Sequence, residues 1–399
     1  MKILESLRLF ILTLICSGEL LFAQSTITIM QYNLLRYGAS PIVEKNQVCS
    51  AIINFVNPDI LCINEVLPTY ADSLELVLKS LDSSWTLAPW SNVSGGTVVN
   101  VLLYRKDRVT FVRQRTVETL VRDIPVYWLL VSDSIPLVIA VAHLKAGSNS
   151  TSEQQRRWMV EALIDSLTNW NVDRWILVGD LNFYSSEDTS YKLLINHPDP
   201  RFRLVDPFPS GQWHNNALFA SYHTQSTRDT LLSDGGATGG MDDRFDFILP
   251  SVRYFEPPYQ WDTFYVFAQD GNHFNKSILD SPPLPVPETI ATALYFCSDH
   301  LPVLATLSLP DKPVQDTVIS TSEPNDLHNC QIISNTSQIT IPHCSQIIAI
   351  TTIEGKQILI NSPIARLALN YTNRLMIVSY EQPHHVSQNH IKHVKLIIE

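Results

Sequence analysis

The chain has 399 residues, of which 45% are hydrophobic and 17% charged, and its formal net charge is -11. That length accommodates one large core and a small second domain. The negative balance repels polyphosphate at long range, so tight non-specific duplex binding is not the default, although a bound divalent metal reverses the field locally.

Lys2 followed by the apolar run Leu9-Phe10-Ile11-Leu12-Thr13-Leu14-Ile15 and by Leu20-Leu21-Phe22-Ala23-Gln24 reads as a secretory signal peptide over residues 1–23. Its apolar core is short for a membrane span. Cys16 raises a lipoprotein reading, but Ile15 stands where a small residue belongs before a lipidated cysteine. No later stretch is long and apolar enough for a transmembrane helix. Removing the leader keeps the net charge at -11 and leaves five cysteines: Cys49, Cys62, Cys297, Cys330 and Cys344. An exported compartment permits disulfides, Cys330 and Cys344 are close enough in sequence to pair, and the odd count leaves at least one thiol free or intermolecular. No cysteine and histidine spacing suggests zinc.

Ile27 to Met30 alternates with Thr and predicts an opening strand that ends at Asn33. A helix follows from about Val43 to Val56, stopped by Pro58-Asp59. Ile60 to Ile63 is a short apolar strand delivering Asn64-Glu65, and Leu74, Val77, Leu78 and Leu81 repeat at helical spacing. Val98–Tyr104, Val126–Val131 and Leu137–Ala142 are three more strands, the last ending at His143. Ser152 and Gln155 have the spacing of a capping box, ahead of an amphipathic helix through Trp158, Met159, Ala162, Leu163 and Leu167. Trp175 to Val178 feeds Gly179-Asp180-Leu181-Asn182. Pro198 to Asp234 reads as long ordered loops. Gly235-Gly236-Ala237-Thr238-Gly239-Gly240 precedes a strand carrying Asp246, and an irregular Pro-rich segment, Tyr254 to Pro287, leads to Ser298-Asp299-His300 and an apolar strand over Leu301–Leu309. Pro310 marks a boundary. Residues 311–329 read as a linker, and from Cys330 short alternating runs predict a small all-β module.

Polar clusters therefore stand at the mouths of successive strands: Asn33, Glu65, His143, Asp180 with Asn182, and Asp246 with Asp299-His300. Strands ending at one sheet edge bring such residues into one cleft. Oxygen ligands such as Glu65, Asp299 and Asn33 suit Mg²⁺ or Mn²⁺. Two histidines supply proton transfer and hydrogen bonds to a phosphoryl oxygen, and a carboxylate bonded to one of them fixes its tautomer. Together these describe metal-assisted phosphoester hydrolysis. Singly, each residue has a plainer reading. Asn33 and Asn182 can cap turns, Glu65 can be a loop acid, and His143 a satisfied half-buried histidine. Asp246, between Phe245 and Phe247, needs a partner if buried, and an ion pair with Arg244 is the alternative to a histidine. The glycine run is either a flexible turn or a place where backbone approaches phosphate. Lys145, His214, His223 and Arg228 are candidates to contact substrate, with solvated surface positions as the plainer reading of each.

The ordered set Gln31-Tyr32-Asn33, Ile63-Asn64-Glu65-Val66, Ala142-His143-Leu144-Lys145, Gly179-Asp180-Leu181-Asn182, Arg244-Phe245-Asp246-Phe247-Ile248 and Ser298-Asp299-His300-Leu301-Pro302 resembles the motifs of the endonuclease/exonuclease/phosphatase superfamily, over about Thr26 to Leu309. The resemblance implies a DNase I-like four-layer α/β/β/α sandwich, here followed by the small all-β domain. It implies that Glu65 binds a divalent metal, Mg²⁺ or Mn²⁺, with Asn33 and Asp299 completing or supporting the shell. Asp246 would orient His300 as base towards water, His143 would face it across the phosphate, and Asp180 and Asn182 would position water and phosphate. Whether Asp180 or His300 activates the water stays open. Asn64 departs from the Gln common before the metal Glu in nuclease members, His143 has no assignable carboxylate partner, and no basic insertion for duplex DNA is evident.

The tail resembles the C-terminal sorting domain of type IX secretion in Bacteroidetes-type bacteria, on Ile347 through Gln357 and Lys392 through Glu399, although Leu369 through Ile377 lacks the usual glycine. The expected organisation is a signal peptide (1–23), a catalytic domain (24–310), a linker (311–329) and a β-rich sorting-like domain (330–399). The expected protein is a monomeric, secreted or surface-exposed hydrolase acting on DNA or RNA, with the secretion machinery as a second partner. Lipid headgroups or small phosphoesters are the alternative substrates, supported by aromatic loops at Trp213 and Tyr259-Gln260-Trp261. A non-catalytic binding protein of the same fold is the third reading.

Overall fold

β1 (Thr26–Tyr37) is the strand on which the first sheet is assembled. It pairs in parallel with β2 (Ile60–Val66), setting Asn33 opposite Asn64, and antiparallel with β11 (Val303–Ser308), setting Gln31 opposite Val303. With β3 (Trp85–Leu87), β4 (Val99–Arg105) and β10 (Gln260–Val266) it makes a six-stranded sheet ordered β10-β11-β1-β2-β4-β3. β5 (Val109–Val117), β6 (Ile124–Val131), β7 (Ile135–His143), β8 (Ile176–Asp180) and β9 (Asp246–Pro250) form a second sheet in that order, with only β7 and β8 parallel. The computed structural model describes residues 26–39, 42–132, 135–256 and 259–308, together with the backbone of seven strands between residues 333 and 398.

The two-residue period of a strand places the layers. Along β7, Leu137, Ile139 and Val141 enter a core shared with the first sheet, while Val138, Ala140 and Ala142 face the opposite way. The outer face is covered by α3 (Ser150–Asn169) through Met159, Val160, Leu163 and Leu167, and by α4 (Thr189–Ile195). On the far side of the first sheet, α1 (Ile42–Val56), α2 (Ala71–Leu81) and α5 (Glu288–Cys297) bury Ile52, Leu74 and Leu294. The result is a four-layer α/β/β/α sandwich, in which each buried aliphatic side chain contributes about 1.5–3 kcal/mol.

Several local expectations are corrected. β1 does not stop at Asn33. It continues to Tyr37 across a register shift, with Leu35 and Arg36 in left-handed backbone. Asn149, not Ser152, caps α3: its side chain accepts from the Ser152 N–H at 2.9 Å, and Ser152 lies inside the helix. Trp158 is half exposed rather than core. Gln260–Val266, expected to be irregular, is an edge strand, and Glu288–Cys297 is a helix with Ile290, Ala291, Leu294 and Cys297 buried. His223 and Arg228, read as surface residues, are fully buried.

The chain divides into two compact units, Met1–Gln315 and Asp316–Glu399. The second holds a three-stranded antiparallel sheet of β12 (Ile333–Asn335), β13 (Gln338–Thr340) and β16 (Arg366–Ala368). It also holds a four-stranded one of β14 (Gln346–Thr352), β15 (Gln357–Ser362), β17 (Arg374–Gln382) and β18 (His390–Ile398). The signal peptide, the linker, Cys330 and Cys344 lie outside the described residues. Among the described residues, no helix is long and apolar enough to cross a membrane.

Candidate active site

The polar strand ends meet where the two sheets share one edge. From the first sheet come Asn33 on β1, Glu65 on β2, and Asp299 with His300 at the entry to β11; from the second come His143 at the end of β7, Asp180 at the end of β8 and Asp246 at the start of β9. The pairing register makes this unavoidable, because His143 lies opposite Asp180 and Asp180 opposite Asp246.

His300 and Asp246 cross from sheet to sheet, with Nδ1 2.7 Å from the Asp246 carboxylate. Gln31 donates to the other Asp246 oxygen at 2.9 Å. Arg244 is engaged elsewhere, donating two bonds to Asp206 at 2.9 and 2.7 Å, so the ion-pair alternative for Asp246 is ruled out. Asp180 Oδ2 lies between the two imidazoles, 3.4 Å from His143 Nε2 and 3.9 Å from His300 Nε2. Asn33 donates to the same oxygen at 3.0 Å and to Glu65 Oε1 at 3.3 Å, and that Glu65 oxygen is 3.9 Å from His143 Nε2. Asn182, in left-handed backbone, donates through Nδ2 to Asp180 Oδ1 at 2.8 Å and to the Leu144 carbonyl at 3.3 Å. Glu65 too has a positive φ, of 61°, and its second oxygen accepts from the Arg36 N–H. A glutamate held in this rare backbone region is a local cost met by the surrounding structure.

Burial and neighbouring charge polarise these groups. Burial pushes the Asp180 carboxyl up to about 8, with Asp246 and Glu65 adding to the rise against the lowering by His300. Burial also lowers His143 well below the ordinary histidine range, helped by Arg122, His300 and Lys145. For His300 burial pulls down, but Asp246, Asp299 and Asp180 together hold it well above that range. The same cleft thus pushes its two imidazoles in opposite directions.

The donor set fits a divalent cation. Glu65, His143 and Asp180 offer ligand atoms all within 4.8 Å of one another. His143 Nδ1 and Asp299 Oδ1 are buried without a hydrogen-bond partner. Of the oxygens expected to bind metal, that of Asn33 accepts from the Leu35 N–H at 2.9 Å, so as oriented Asn33 braces Glu65 through its nitrogen. Asp299 Oδ2 accepts from the Ala237 N–H at 2.7 Å and from Gln225 at 3.2 Å.

The sequence model of the Endonuclease/Exonuclease/phosphatase family matches residues 30–300, the span that carries every one of these side chains. The chain belongs to this family. Membership makes it a phosphoester hydrolase, and the sandwich is the family's DNase I-like fold. Solved structures similar to it include D. rerio TDP2 complexed with single strand DNA product, at 16% identity over 71% of this chain and 100% of that one with a TM-score of 0.49. The human Nocturnin catalytic domain with bound sulfate anion is similar at 19% identity over 71% and 95%, with a TM-score of 0.48. A family protein from Bacteroides thetaiotaomicron is similar at 13% identity over 72% and 100%, with a TM-score of 0.47. No curated protein matches the sequence.

This family member also uses residues that sequence reasoning did not place. Asn64 Oδ1 accepts from Gln31 and from the Asp180 N–H, both at 2.9 Å, while its Nδ2 donates to Asn100 at 2.9 Å and the Ala142 carbonyl at 3.1 Å. Gln225, 2.7 Å from His300 Nε2, comes from a loop with no local signal. Asp180, 3.4 Å away, is the carboxylate that could not be assigned to His143. The glycine run resolves into two roles. Gly235 and Gly239 face open space, while Gly236 packs on Arg228 and Asp299, where an added Cβ would lie 2.9 and 3.1 Å from their atoms.

Proposed function

We propose that this protein is an exported, Mg²⁺- or Mn²⁺-dependent phosphodiesterase acting on nucleic acid. The observation that carries the reading is Asp180 Oδ2 set between His143 and His300, with Glu65 beside His143 and Asp246 behind His300. Glu65 and Asp180 are the residues that would hold the metal, with Asn33 bracing Glu65 and Asp299 in support. When bound, the metal supplies charge neutralisation at the phosphoryl group. Asp246 accepts the Nδ1–H of His300, so Nε2 is the atom that exchanges a proton in the cleft. His143 faces it from the opposite side and donates Nε2–H to a phosphoryl oxygen. Asn182 and Asn33 orient Asp180, which positions the attacking water.

Arg122 and Lys145 support a polyanionic substrate. Both are close enough to depress His143, and the backbone N–H of Arg36 donates to Glu65. The aromatic support for the lipid and small-molecule reading narrows to Trp261, which is partly buried against the core, because Trp213 and Tyr259 are buried within it. Export rests on the leader-like residues 1–23, and the tail is proposed as a type IX sorting module.

The test offers the full chain plasmid DNA, single-stranded DNA, single-stranded RNA, sphingomyelin and sugar phosphates, each with Mg²⁺, Mn²⁺ or EDTA. Nucleic-acid cleavage abolished by EDTA and reduced at least about 100-fold in Glu65→Gln is expected. Release from the lipid or sugar substrates alone overturns the substrate, and undiminished cleavage in EDTA overturns the metal. Secretion is checked by deleting residues 1–23 and finding the product retained in the cell.

A further inference from the structure

Cys49 and Cys297 are 248 residues apart in sequence, yet their Sγ atoms lie 2.8 Å apart. Cys49 is on the inward face of α1 and Cys297 is the last residue of α5; both side chains are fully buried. Unbonded heavy atoms settle at ~3.5–4.0 Å, whereas a disulfide S–S bond is ~2.05 Å. Two thiols packed this tightly, on helices that bury them both, are within an ångström of bonding distance. The surroundings hold the pair in register. Lys45, one turn before Cys49, donates to the Cys297 carbonyl, and Arg228 donates to the Tyr295 carbonyl at 2.9 Å. Ser298 donates to the Asn33 carbonyl at 2.6 Å. Cys62, buried in β2, serves as the internal comparison.

We propose that Cys49 and Cys297 form a disulfide that staples α1 to the segment delivering Asp299 and His300. The oxidant is a disulfide of the glutathione class. The two thiols lose two protons and two electrons and one S–S bond forms between them, while the oxidant's S–S bond breaks to give two thiols. The crosslink closes a loop spanning most of the first unit, so it restricts the unfolded chain far more than a local bridge would.

The test folds the full chain in a buffer of oxidised and reduced glutathione, denatures it with iodoacetamide present, and maps chymotryptic peptides, since cleavage after Phe55 separates Cys49 from Cys62. A Cys49–Cys297 linked peptide that disappears with dithiothreitol, alongside alkylated Cys62, is expected. Reduction should lower Tm by about 5–10 °C, and in Cys49→Ser the Cys297 peptide should be recovered alkylated. Both Cys49 and Cys297 alkylated in the oxidised wild-type sample overturns the proposal, as does a linked peptide joining either to another cysteine. The map on the wild-type protein decides it even where the variant does not fold.

Discussion

At the scale of single residues, the site divides into groups that touch substrate and groups that hold them. Asp246 is wholly buried behind His300 and belongs to the second kind. Asp246→Asn keeps its shape but replaces the charged acceptor of the Nδ1–H, so turnover should fall about 10²–10⁴-fold with the circular dichroism spectrum unchanged. A loss under threefold would remove Asp246 from that role. His300→Ala should lose at least as much, and the Asp246→Asn/His300→Ala double variant should be no worse than His300→Ala, because the two act as one unit. The acids and imidazoles were legible in the sequence because each stands at one end of an apolar strand, Glu65, His143 and Asp180 at or near the exit and Asp246, Asp299 and His300 at or near the entry. Gln225 and Ala237 were not, because they reach His300 and Asp299 from loops whose path no periodicity encodes. Asn64 was legible only as a departure from the family pattern, and its four bonds show it working between strands rather than on substrate.

The strands that sequence patterning missed share a position. In the two large sheets, β3, β5 and β10 are three of the four edges. An edge strand buries less of itself, so the apolar run that marks a central strand is diluted by polar residues. On β5 the exposed positions carry Arg113 and Arg115, stacked over Trp128 at 4.3 Å and Trp170 at 5.3 Å. β9, the remaining edge, was found because all five of its residues are buried. Between the central strands β7 and β8, Gly179 leaves no room for a side chain. A Cβ there would stand 1.8 Å from the Ala142 carbonyl oxygen. Gly179→Ala must therefore push apart the two strands that end in His143 and Asp180. A Tm lower by more than about 5 °C is expected, with weaker metal binding in calorimetry of any folded fraction. At the other end of the scale, Asn149→Ala removes one cap bond from α3 and should cost about 1 kcal/mol, read in urea unfolding.

For the whole molecule, the catalytic candidates lie entirely within the first compact unit, residues 1–315. A chain ending at Gln315 should fold and retain metal-dependent hydrolysis within about twofold of the full chain, since domains of this size carry their own core. Lost turnover in a folded truncation would show that the β-rich tail contributes to the cleft. Within that unit the cleft is shared between two sheets that could slide past one another, and Asn64 spans the seam. Its carbonyl oxygen takes the backbone N–H of Asp180, so a main-chain proton in one sheet is guarded by a side chain of the other. That proton exchanges with deuterium only when the sheets part, or when the whole unit unfolds. The Asp180 amide is therefore a clock for separation of the two halves, and it ticks whether or not substrate is present. If it exchanges as slowly as the amides of Val141 and Val178 in the middle of the second sheet, the cleft opens only by global unfolding. Faster exchange at this one amide would time a breathing motion that briefly draws Asp180 away from Asn33 and Glu65.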